Sequence, residues 1–221
     1  MSGFWNWEWV ATHLDLVGER LIEHLWLTVL AVGIGLVISV PVAVYAQRHP
    51  RLYPPVTWVA GFLYTIPSLA LFALLVPFSG LSTLTAEFGL VSYTLLILIR
   101  NIVSGLNAVP DDVKEAARGM GYTAGQMLWR VELPLALPVI VAGIRIATVT
   151  TIGLVTVTAL IGKGGLGALM LGGFRQLYPE IAVLVGLTLS VALAIAADGL
   201  ILGAQRVLTP WARSVRVRTA V

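Results

Sequence analysis

From His24 to Gln47 the chain runs twenty-four residues without an aspartate, glutamate, lysine or arginine. That run fixes the class of fold. A helix crosses the hydrocarbon of a bilayer in about 20 apolar residues, and only closed hydrogen-bonding patterns such as helices satisfy the backbone there. Similar stretches recur to the end of the chain, so the expected architecture is all-α and polytopic. Composition agrees: 58% of residues are hydrophobic and 11% charged, against about 25% charged in soluble domains. Too few polar side chains exist to clothe a water-facing surface. Cysteine is absent, which removes disulfides, thiolate metal sites and a cysteine nucleophile.

Taken in order, residues 1–20 hold Trp5, Trp7 and Trp9 beside Glu8, Asp15 and Glu19. Indoles favour the headgroup zone, so this reads as an external interfacial segment. It lacks the basic start of a cleaved signal peptide. A first span covers about 21–46, where Gly33, Gly35, Ser39 and Pro41 are expected to give one closely packable face. The charge-free run from Leu52 to Ala86 would be ~52 Å long as one helix, too long for one crossing. Pro77, Ser79 and Gly80 mark its break, leaving a second span at 56–76 kinked by Pro67. Spans at 88–106, 135–160 and 181–202 bring the expected number to about five. The stretch 161–180 has six glycines and reads as a loop or short re-entrant piece.

Five spans place the termini on opposite sides, and the basic residues choose between the two orientations. One set of connections and the tail hold Arg48, Arg51, Lys114, Arg118, Arg130, Arg206, Arg213, Arg216 and Arg218; the other holds Arg20, Lys163 and Arg175. The first set is therefore expected in the cytoplasm, with the N-terminus external. The transmembrane domain occupies 21–206, with a cytoplasmic insert at 107–134 and a basic cytoplasmic tail at 207–221.

The insert is the one long polar, helix-forming interruption. Pro110, Asp111 and Asp112 begin a helix at the positive end of its dipole, expected over Val113–Met120. Gly119 and Gly121 break it, a second short helix covers Ala124–Val131, and Leu133-Pro134 returns the chain to the bilayer. Ala116 and Ala117, small and flanked by charge, let another surface come close. A plain solvated loop fits the composition equally well.

Glu115-Ala116-Ala117, then three residues, Gly121, nine residues, Val131, one residue and Leu133-Pro134 resembles the EAA motif of permease subunits of bacterial ABC importers, with Val131 in place of isoleucine. The resemblance implies the type I importer permease fold, with coupling helices seated in a groove of a cytoplasmic ATPase subunit. Glu115 and Arg118 would then face the ATPase, and Gly121 would turn the chain between the helices. The runs Thr65–Pro77, Arg100–Leu106, Arg130–Val149 and Ala159–Gly167 are similar to importers of osmoprotectants such as glycine betaine, choline and carnitine. Permeases for methionine share the core and match these runs less well. The family implies a second permease subunit, identical or paralogous, and an external binding protein. ATP and Mg would sit on the ATPase, leaving this chain no cofactor and no catalytic role.

Other motifs argue against enzyme chemistry. Gly162, Gly164 and Gly167 satisfy G-x-G-x-x-G, but a span precedes them and no acid follows at the distance a dinucleotide site requires. Val157 and Gly164 also exclude a phosphate loop around Lys163. His13, His24 and His49 are scattered near the expected interfaces, and no metal cluster or catalytic set appears. Three ionisable residues fall within spans: Arg100, within snorkelling reach of the inner surface; Arg145, deeper; and Asp198, expected to snorkel or pair. Tyr64, Ser68 and Phe72 recur at helical spacing and fit either a pathway for a quaternary ammonium head or core packing. A membrane scaffold or channel without ATP coupling is the reading from a different class.

Overall fold

Helices form where the charge-free runs fall. A computed structural model of the protein describes residues 6–213; Trp5, Arg216 and Arg218 lie outside the described residues. The helices are α1 (Trp7–Thr12), α2 (Leu14–Arg48), α3 (Tyr53–Thr65), α4 (Ser68–Ser79), α5 (Thr83–Asn107), α6 (Asp111–Gly119), α7 (Ala124–Met127), α8 (Leu133–Val157), α9 (Leu166–Phe174) and α10 (Ile181–Leu208). No strand occurs among the described residues. Four helical stretches are long and apolar enough to cross a membrane, or five if α3 and α4 count as one bent span.

The centre is made by α2, α5 and α8, with α3 and α4 against α5 and with α10 against α8 and α9. Burial follows that order: the apolar window of α5 is 61% buried and that of α10 is 22% buried. Close approach depends on small residues, because hydrocarbon offers helices no hydrophobic gain from pairing. Gly35 lies against Thr94 and Leu98, and Gly143 against Asn101. On α2 the packed face is Ala31, Gly35, Ser39 and Ala43, at intervals of four. Gly33 is half-buried and Pro41 exposed, so they fall outside the face expected of them.

The second span differs from expectation. Pro67 does not merely kink a helix: α3 and α4 meet at 94°. Proline lacks the N–H that would continue the ladder, and the residue before it is pushed to extended geometry. Ile66 takes φ −64° and ψ 127° as the C-cap of α3. The hydroxyl of Tyr93 donates to the freed Ile66 carbonyl. Residues 56–76 are therefore two short helices. The first span also starts earlier than expected, because α2 is helical from Leu14 onward.

The glycine-rich stretch holds a nine-residue helix, α9, joined to α8 through a 3-10 turn at Thr158–Ile161. His24 anchors it. Its ring is fully buried; Nε2 donates to the Ile152 carbonyl at 3.0 Å and Nδ1 accepts from the Leu166 amide at 3.3 Å. One side chain thus ties α2 to α8 and α9. Gly165 has φ 48°, and a Cβ there would stand 2.6 Å from the His24 Cβ. Replacing His24 with alanine leaves a buried amide and carbonyl without their partner, at about 1–3 kcal/mol. His24→Ala is expected to lower the melting temperature of the detergent-solubilised protein, and Gly165→Ala to do likewise by strain and overlap.

Candidate functional site

Pro110 opens α6 with φ −58° and ψ 141°, and Asp111 and Asp112 occupy the first turn, where acids meet the positive end of the dipole. The helix runs to Gly119, the first expected glycine break and one residue short of the expected end at Met120. The turn falls at Gly121, with φ 82°, a left-handed conformation that costs other residues roughly 1–2 kcal/mol. A capping box then starts α7: the Thr123 hydroxyl accepts from the Gln126 amide, and the Gln126 side chain accepts from the Thr123 amide.

The second short helix is not separate. Ala124 to Ile161 is one helical stretch of 38 residues, passing through a π-helical segment at Leu128–Glu132. Pro134 explains the widened turn, since it offers no N–H to a preceding carbonyl and its ring crowds the preceding turn. Leu133-Pro134 therefore carries the chain into α8 with no break after the second short helix.

Burial divides the motif into two groups. Glu115, Ala116, Arg118 and Gly121 are exposed, whereas Ala117 is buried at 2%. Only one alanine of the pair is available to a partner; the other seats the helix. Val131, Leu133 and Pro134 are half-buried, and Leu133 packs with Leu128 onto the cluster of Val109, Leu106 and Ala136. From α2, Arg48 Nη2 donates to the Ala124 carbonyl at 3.2 Å, and Gln47 reaches Asn107 at 3.4 Å. Arg48, Lys114, Arg118 and Glu132 help line a cavity of about 450 Å³. The exposed apolar residues Met120 (71%) and Trp129 (69%) extend the same surface. The motif spacing does not include them; their signal in the sequence is large apolar side chains set among polar ones.

The basic residues sort by end of the bundle. Arg48, Arg51, Lys114, Arg118, Arg130 and Arg206 stand with the insert, and Arg20, Lys163 and Arg175 stand with α9. Within the spans, Arg145 and Asp198 form a bidentate pair, Nε to Oδ1 at 2.7 Å and Nη2 to Oδ2 at 2.6 Å. Asp198, expected to snorkel or pair, thus pairs, and its partner is Arg145, 53 residues away. Arg100 is exposed beside Trp58, Phe62 and Tyr64 in a shallow groove. Tyr64, Ser68 and Phe72 do not share a face: the break at Pro67 puts Tyr64 on α3, edge-on to Tyr93, and buries Phe72 of α4 at 1% against Gly89. Gly162 caps the 3-10 turn, Gly164 lies in the link to α9 against Ala159, and Gly167 is in the first turn of α9 against Thr156. No group of side chains with metal-binding geometry occurs among the described residues.

Residues 31–213 match the family model described as binding-protein-dependent transport system inner membrane component. The chain is 44% identical over 194 residues to the osmoprotectant import permease protein OsmW of Salmonella typhimurium, covering 85% of this chain and 89% of that one. It is 37% identical to the carnitine transport permease protein OpuCB of Listeria monocytogenes, covering 72% and 73%. It is 35% identical to the choline transport system permease protein OpuBB of Bacillus subtilis, covering 85% and 86%. Among solved structures, a chain of the MetNI methionine ABC transporter in an inward-facing conformation superposes with a TM-score of 0.79 at 26% identity, covering 90% and 98%.

The capping box carries a local prediction. Thr123→Ala is expected to destabilise the α7 end by about 0.5–2 kcal/mol, read as faster hydrogen exchange at the Gln126 amide with α5 unaffected.

Proposed function

The chain belongs to the family of binding-protein-dependent transport inner membrane components, and from that premise we propose that it is the permease subunit of an ATP-driven importer for a quaternary ammonium osmoprotectant. The likeness to relatives named for osmoprotectant, carnitine and choline transport, along 72 to 85% of this chain, is the observation that carries the substrate class. The insert docks into a separate cytoplasmic ATPase, on which ATP and Mg reside, and this chain holds no cofactor. Its basic end is cytoplasmic and its N-terminus external. A second permease of like fold, identical or paralogous, completes the pathway, and an external binding protein delivers the solute.

The parts follow from the geometry of the insert. Glu115, Ala116, Arg118 and Gly121 form the contact with the ATPase, supported by their exposure. Ala117, Val131, Leu133 and Pro134 hold that surface against α5 and α8. Closure of the ATPase pair displaces α6 and α7, and α8 moves with α7 because no break separates them. ATP binding shifts the permease toward its outward state only as far as ATP favours that state over the other.

The superposition on the methionine transporter favours a second reading, the same fold serving an amino acid. Binding of glycine betaine, choline and methionine to the partner binding protein decides between them, with the quaternary ammonium compounds expected to bind. Tight binding of methionine alone sinks the osmoprotectant reading. A channel or scaffold without ATP coupling is tested by co-purification: an ATPase subunit is expected with the wild type and lost when Glu115 to Gly121 is deleted.

A Cβ at Gly121 meets no atom within 4 Å, so the turn tolerates substitution in space though not in backbone conformation. Gly121→Glu is expected to leave the protein inserted and assembled while abolishing transport. Wild-type uptake by that variant contradicts the coupling role.

A further inference from the structure

The Arg145–Asp198 pair lies well inside two of the membrane-length helices. Arg145 is twelve residues beyond Leu133, the first residue of α8, and Asp198 ten residues before the end of α10. At 1.5 Å per residue those positions lie ~18 Å and ~15 Å along the helices from those ends. Yet both side chains are partly open, at 27% and 35%, into a cavity of about 590 Å³ also lined by Ala142, Ile146, Thr150 and Ile195. Ionised groups at this depth face a protein interior or a water-filled space, not lipid. Around them the exposed apolar residues Ile146 and Ile195 leave the α8–α10 face without a cover in this chain.

Resting on the osmoprotectant reading, we propose that this face is a wall of the solute pathway and that the Arg145–Asp198 pair is its contact point for a zwitterion carrying a quaternary ammonium and a carboxylate. A guanidinium has five N–H donors, and the pair engages those on Nε and Nη2. The remaining donors meet the solute carboxylate, while the cationic head rests against Asp198. The four charges alternate in sign without the protein pair having to open. The pair has no net charge, so it favours a solute with both signs over one bearing a positive charge alone. The lining of small and aliphatic side chains leaves room for methylated nitrogen and offers it no competing hydrogen bonds.

The chain has no cysteine, so single cysteines report cleanly. Ile146→Cys, Ile195→Cys and, as a control on an all-apolar face of α2, Val37→Cys are treated with a charged, water-soluble thiol reagent. The sample is the assembled importer in lipid nanodiscs, which open both faces to solvent. Modification at 146 and 195 but not 37, slowed several-fold by glycine betaine and less by choline, is the expected result. Residues 146 and 195 as inert as 37 would overturn the wall. Modification that glycine betaine leaves unchanged, in a complex that transports it, overturns the contact point. Uptake by the wild type is measured separately, so a failure of the osmoprotectant reading is told apart from a failure of this site. Arg145→Gln is expected to raise KM for glycine betaine several-fold and that for choline far less, whereas Asp198→Asn raises both; an Arg145→Gln effect equal for the two solutes counts against the proposal.

Discussion

Helices in hydrocarbon gain nothing from hiding apolar side chains from each other, so contact has to come from shape. That constraint organises this permease. Gly35 admits Thr94, Gly143 admits Asn101, and Gly105 comes close to the Ala136 carbonyl. These meetings draw α2 and α8 onto α5, which becomes the most buried span. Polar side chains then secure what the small ones allow. His24 crosses from α2 to α8 and α9, and the serine, threonine and asparagine side chains return most of their hydrogen bonds to nearby carbonyls. What remains outside this centre, chiefly α10 and α3, is held on one side only and has surface to give to other subunits.

Much of this was legible from charge alone. Runs without an ionisable residue located the long helices, because a charge in lipid is too costly to place by accident. The helix start at Pro110 to Asp112 and the turn at Gly121 were also readable, since a proline and a left-handed glycine act through local backbone geometry. The misreadings share one cause: each depended on partners distant in sequence or on how a break is repaired. Pro67 signalled a disturbance, but only the Tyr93 hydroxyl waiting for the Ile66 carbonyl makes a 94° corner tenable. A separate short helix is expected before Leu133-Pro134, and Pro134 is instead absorbed by a wider turn in one continuous stretch. His24 resembled its interfacial neighbours until Ile152 and Leu166, more than a hundred residues away, were placed beside it.

The candidate site shows the same division. Spacing picked out the motif from Glu115 to Pro134 and could not sort its members, because exposure within a helix depends on the surface it lies on. Of two adjacent alanines, Ala116 looks outward and Ala117 is locked beneath. The motif therefore serves two purposes at once, presenting a surface and fastening that surface to α5 and α8. A partner is expected for Asp198 but not named by the sequence; the fold makes it one neutral unit with Arg145.

The unbroken stretch from Ala124 to Ile161 is ~57 Å long at 1.5 Å per residue, longer than the hydrocarbon is thick. Arg145 sits a little past its midpoint and is clamped there to α10. A rod held near its centre behaves as a lever about that fulcrum. A tilt of ~5° displaces its two ends by roughly 2–3 Å each, and in opposite directions. A displacement at the end bearing α7 is thus matched by an opposite one at the far end, beside α9.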